Sequence, residues 1–117
     1  MLIGEVAGRA GVSRDAVRLY TRLGLVPCRA VAAGSRTYAG YAEDAVQLVR
    51  DIQIAKSLGF SLAELRPIAE LYLSGALDPG RQRAVLSAKL AEIEQKQRLL
   101  DGLATSLRTK LADLDQL

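Results

Sequence analysis

The chain has 117 residues, half of them hydrophobic, with no histidine or tryptophan, one phenylalanine, one cysteine and a net charge of +3. Without histidine and with a single thiol, it has too few soft ligands for a transition-metal site, no histidine-based triad and no intrachain disulfide, in keeping with a reducing cytosol. No apolar run approaches the ~20 residues that cross a bilayer, the start breaks at Gly4-Glu5 unlike a signal peptide, and no glycine motif cradles a phosphate, so the expectation is a cytoplasmic protein without cofactor or catalysis.

Residues 3–22 are the stretch the rest serves. Ile3, Val6, Ala7 and Ala10 share one helical face. Gly11 is a helix stop, Ser13 is an N-cap, and Asp15 suits the positive end of the helix that follows. Ala16, Val17 and Tyr20 make a second inner face, while Arg14, Arg18 and Arg22 recur every four residues on another side. Two short helices about such a turn, with small Ala7 facing Gly11, describe a helix-turn-helix whose second helix enters a major groove. The alternative is a helical hairpin with solvated arginines. Charge favours the DNA reading. Arg9, Arg14, Arg18, Arg22, Arg29 and Arg36 stand against Glu5 and Asp15 in residues 1–42, a balance of +4, whereas residues 61–117 balance to zero.

Residues 24–40 read as loop and short strand, with Pro27 blocking helix and Arg36-Thr37-Tyr38 β-prone between glycines. In a hairpin there, Arg36 and Tyr38 share a strand face and can hold a phosphate and stack on a sugar. A surface loop with an incidental arginine is the alternative. Cys28 sits beside Arg29, which can favour its thiolate. It is a candidate thiol sensor; the preferred alternative is a cysteine tucked behind the wing.

The spacing predicts a helix over 43–58, with Val46, Val49 and Ile52 as its inner row. Gly59 stops it. Ser61-Leu62-Ala63-Glu64 then forms a capping box, with Phe60 placed to staple onto Leu65. Pro67 should kink or shorten this next helix near Arg66. After a break at 74–80, Asp78 caps and Pro79 starts a helix running to about Asp115. Along it Leu86, Leu90, Ile93, Gln97, Leu100, Ala104, Leu107, Leu111 and Leu114 alternate spacings of four and three. That is a heptad seam with one polar register position at Gln97. A rod of about 55 Å at ~1.5 Å per residue is too long to bury such a seam on a small head, so a two-fold homodimer is expected. A helix folded back on its own head is the alternative.

Taken together, the chain resembles a MerR-type transcriptional regulator over essentially its whole length. The resemblance rests on Ile3-Gly4-Glu5-Val6-Ala7, Gly11-Val12-Ser13-Arg14-Asp15, Val17-Arg18-Leu19-Tyr20, Gly24-Leu25-Val26-Pro27, Arg36-Thr37-Tyr38 and Leu58-Gly59-Phe60-Ser61-Leu62. It implies a mainly α fold: a winged helix-turn-helix head over residues 1–75 with a small β wing and two further helices. A long antiparallel coiled-coil dimerisation helix follows over residues 76–117. It also implies a homodimer on double-stranded promoter DNA that bends and untwists its operator, acting on RNA polymerase indirectly. By the same resemblance Ser13 and Arg14 start the groove-facing helix, Arg18 and Tyr20 match backbone-contacting positions, and Arg36 and Tyr38 match the wing.

Two positions depart from the family pattern. Thr21 stands where an acid is usual. The wing tyrosine can be Tyr38, which keeps Arg36, or Tyr41, whose partner position is then Ala39; the first register is preferred because it retains a phosphate contact. Metal-sensing members place cysteines near the start of the long helix, and residues 77–85 have none. No drug-binding domain or metal loop is expected after Leu117, and the effector stays unassigned. An architectural DNA-binding protein without effector, or a coiled-coil adaptor, are the alternatives to a regulator.

Overall fold

A computed structural model describes residues 1–117. The chain divides into two compact units, Met1–Leu77 and Asp78–Leu117. The first holds α1 (Ile3–Ala10), α2 (Arg14–Arg22), β1 (Arg29–Ala33), β2 (Arg36–Gly40), α3 (Ala45–Ser57) and α4 (Leu62–Leu73); the second is α5 (Pro79–Asp115). This is the mainly helical winged architecture the sequence implied, and no helix is long and apolar enough to cross a membrane.

The turn between α1 and α2 forms as its residues dictate. Gly11 adopts φ 74°, a left-handed conformation that costs a glycine little, and its N–H and that of Val12 both reach the Ala7 carbonyl. Ser13 Oγ then accepts from the Ala16 N–H at 3.0 Å and opens α2. α1 packs on both α2 and α3. Their inward faces meet in a small apolar core in which Val6, Val17 and Val49, one from each helix, are wholly buried.

One contact not foreseen in the sequence ties α3 to the end of α1 at the surface. Arg50 on α3 donates to the Arg9 carbonyl at 2.9 Å, placing a cation on the negative end of α1. Arg50→Ala is expected to lower the unfolding free energy by about 1 kcal/mol in urea denaturation, because an orphan carbonyl loses its donor to water.

α3 starts at Ala45, two residues later than the 43–58 span expected. Asp44 is in a turn-like conformation without a side-chain cap, and the Ala45 N–H bonds the Ala42 carbonyl. Glu43 and Asp44 therefore precede the helix. The capping box forms reciprocally: Ser61 N–H donates to Glu64 Oε1 and Glu64 N–H to Ser61 Oγ, both at 3.1 Å. Phe60 and Leu65 are both buried. Pro67 does not shorten α4, which runs on to Leu73. Ala63, whose carbonyl loses its i+4 donor, is exposed, so water can replace the missing bond.

β1 and β2 pair antiparallel from Arg29↔Gly40 to Ala33↔Arg36 around a Gly34-Ser35 turn. The ribbon is exposed along its length except at Gly40, and an isolated two-stranded ribbon is marginal. Its base is where it is held. Gly40 lies so close to Val31 that a Cβ there would run into the Val31 side chain. The next residue, Tyr41, is 5 % exposed. Its N–H donates to the Met1 carbonyl at 2.7 Å and its carbonyl accepts from the Met1 amino group at 2.8 Å. Its hydroxyl meets Thr21 Oγ1 at 2.8 Å. Since Thr21 gives its one proton to the Val17 carbonyl, Tyr41 is the donor of that pair.

In the second unit Asp78 accepts from the Arg81 N–H at 2.8 Å with Pro79 at the first helical position, and α5 continues for 37 residues. The expected row is uncovered: Leu86, Leu100, Leu107, Leu111 and Leu114 are each more than half exposed. Glu92 bridges Lys89 and Lys96 at 2.9 and 3.0 Å, and these hydrogen bonds, Lys89's first, hold its carboxyl below the usual glutamate range.

Candidate nucleic-acid interface

The arginines of α2 stand opposite its buried face. Val17 and Tyr20 point into the core while Arg14, Arg18 and Arg22 are exposed, which is what a four-residue repeat on a helix requires. Ser13 is exposed at the start of the row, its hydroxyl engaged in the cap. Arg18 Nη1 pairs with Asp15 Oδ1 at 2.8 Å, with the two side chains 58 % and 91 % exposed. So open an ion pair contributes only ~0.2–1 kcal/mol, and a phosphate can displace the Asp15 carboxylate.

Arg14 behaves differently. Its guanidinium lies on the first turn of α1, so that a Cβ built on Gly4 would stand 2.8 Å from Nη2. Leu2, Ile3, Gly4, Glu5, Arg14, Tyr38 and Ala39 line one open cleft of about 430 Å³. The fold thus brings together the start of α2 and the wing, which the sequence lists far apart. Arg36 is exposed beside the wing turn, two residues from Tyr38 on the same strand.

Tyr20 requires a correction as a surface contact. It is 2 % exposed, because it falls three residues after Val17 on the inward face of α2. Lys56 sits over its ring at 5.8 Å from the centroid and approaches its hydroxyl at 3.5 Å. Cys28 is a free, exposed thiol in a second cleft of about 450 Å³ shared with Met1, Pro27, Arg29 and Tyr41. Sequence reasoning missed Gly4, Arg50, Lys56 and the pairing of Thr21 with Tyr41. Thr21 carried a signal as a departure from the family's usual acid, Gly4 as part of the stretch that carries the resemblance, and Tyr41 as the second wing tyrosine.

A helix-turn-helix with an outward arginine row, beside a β wing carrying its own arginine and tyrosine, defines a winged-helix DNA-binding protein. Residues 1–71 match the family described as MerR HTH family regulatory protein, and residues 46–114 match MerR, DNA binding. The chain belongs to the MerR family, and its function is DNA-binding transcriptional regulation. It is 34 % identical over 108 residues to the HTH-type transcriptional regulator HmrR of Rhizobium leguminosarum bv. viciae, covering 92 % of this chain and 81 % of that one. It is 30 % identical over 117 residues to the HTH-type transcriptional regulator YfmP of Bacillus subtilis strain 168, covering 99 % and 79 %. Among solved structures, the transcription regulator PbrR691 from Ralstonia metallidurans CH34, in complex with lead(II), superposes with a TM-score of 0.76 at 28 % identity, covering 92 % of this chain and 82 % of that one. HiNmlR, a MerR family regulator lacking the sensor domain and bound to promoter DNA, shares the fold at a TM-score of 0.57 and 22 % identity, covering 91 % and 86 %.

Proposed function

We propose that the chain binds double-stranded promoter DNA in the cytoplasm as a homodimer and distorts it. It would thereby control transcription through DNA shape, acting on RNA polymerase indirectly and without a catalytic step. The observation that carries this reading is a pair of uncovered features in one chain: an arginine-lined helix beside a wing, and a leucine row on a 37-residue helix. In this division of labour residues 1–75 read DNA and residues 76–117 pair two copies. A symmetric pair presents two heads to two half-sites.

Ser13 and Arg14 open the groove-facing helix. Arg18 takes a phosphate by leaving Asp15. Arg36 and Tyr38 hold the flanking backbone from the wing. Tyr20 acts from inside the core by fixing the angle of α2. No step is assigned to Cys28.

The test is selection of genomic fragments by the purified protein, followed by affinity measurement across salt concentrations. A small set of fragments should bind at least ~10³-fold more tightly than unrelated duplex. Arg18→Ala should weaken that binding about tenfold and reduce the slope of log affinity on log salt by about one. Recovery of fragments at random would overturn the reading.

A further inference from the structure

We propose that Gly4 is a positioning residue for DNA binding. By lacking a side chain it lets the Arg14 guanidinium lie against α1 in the cleft that Tyr38 also lines, where that group grips a DNA backbone phosphate. The inference rests on the DNA-binding reading above and refines it: Arg14 becomes a phosphate clamp and not a reader of base edges.

A glycine inside a helix is destabilising and needs a reason. Conformation does not supply one, because Gly4 has an ordinary helical backbone and is not among the glycines with positive φ. Contact does. The three atoms nearest to a Cβ placed there all belong to the Arg14 guanidinium: Nη2 at 2.8 Å, Cζ at 3.2 Å and Nε at 3.3 Å. The planar group lies on the bare backbone as on a shelf. Gly8, in the same helix, has nothing within 4 Å of its own Cβ position, so the contact is particular to Gly4.

The clamp is unoccupied by the protein's own acids. Glu5, on the rim of the cleft, pairs with Arg9 at 3.7 Å, and Asp15 pairs with Arg18. Arg14 makes no ion pair or hydrogen bond within the chain. A guanidinium resting on a bare backbone, with its donors uncommitted and facing a cleft that Tyr38 also lines, suits bidentate phosphate recognition. Contacts to phosphate set register and carry no base information. A methyl at Gly4 would meet only the end of a flexible side chain there. It should therefore displace Arg14 without harming the fold.

Gly4→Ala, Gly8→Ala, Arg14→Ala and the Gly4→Ala/Arg14→Ala double variant test this. Thermal midpoints and dissociation constants are measured on a mixed-sequence duplex and on genomic fragments enriched by the protein. Both glycine replacements should raise the melting midpoint by about 2–4 °C. Only Gly4→Ala should weaken binding, about three- to tenfold and equally on both DNAs, with a smaller salt slope. The double variant should match Arg14→Ala alone. Wild-type affinity in Gly4→Ala together with weakened Arg14→Ala would overturn the role of Gly4 and leave DNA binding intact. A further loss in the double variant would also overturn it, as would a loss confined to the enriched fragments. Unchanged binding by Arg14→Ala would remove Arg14 from the interface, and failure of the wild-type protein to bind either DNA would end the reading beneath it.

Discussion

Glutamate at both Leu100 and Leu107 is expected to yield a monomer with a normally folded head and at least about a hundredfold weaker promoter binding. Both leucines are more than 60 % exposed in the single chain, so the charges cost the isolated protomer little. In a paired seam they would place four carboxylates where the sequence otherwise sets apolar residues every three or four positions. Each leucine moved from half-exposed to buried stabilises the pair by about 1–2 kcal/mol, and these gains reverse when the side chain is charged. The loss in DNA affinity follows because two linked heads bind with an avidity of ~10²–10⁴ over one. Sedimentation at micromolar concentration and gel-shift titration read the two effects separately. A double variant that stays dimeric and binds normally would sink the proposed interface.

The second large effect is at Tyr41. Tyr41→Ala should lower the unfolding free energy by about 3–5 kcal/mol, the range for truncating a buried aromatic. Tyr41→Phe should cost only about 1 kcal/mol, since Thr21 keeps its bond to the Val17 carbonyl and the backbone pairing with Met1 is untouched. Tyr38→Ala, at a position 38 % exposed on the wing, should leave stability within about 0.5 kcal/mol. Urea denaturation orders the three. Equal destabilisation by Tyr38→Ala and Tyr41→Ala would contradict the placement of one tyrosine on the surface and the other in the core.

That placement also shows where sequence reasoning stopped. Both tyrosines read as wing candidates because Tyr38 keeps Arg36 two residues before it, while Tyr41 sits at the nearer spacing to the third helix. The fold uses both, Tyr38 on the ribbon and Tyr41 under it. Thr21, a departure from the family pattern, serves as the acceptor for the Tyr41 hydroxyl. Tyr20 had two roles in the sequence, inner face and DNA contact, and burial selects the first.

What the sequence alone determined is what depends on near neighbours. Gly11 and Ser13 mark the turn, Ser61 and Glu64 the start of α4, and Asp78 and Pro79 the start of α5. The leucine row was readable for the same reason. Caps and periodicities join residues three or four apart, and the chain itself states those distances. Only the tertiary structure decided that Arg50 reaches Arg9, 41 residues away, that Tyr41 reaches Thr21, 20 residues away, and that Arg14 rests on Gly4. Such pairs exist because three helices close on one small core, and the direction in which each closes is set by packing that no local spacing records.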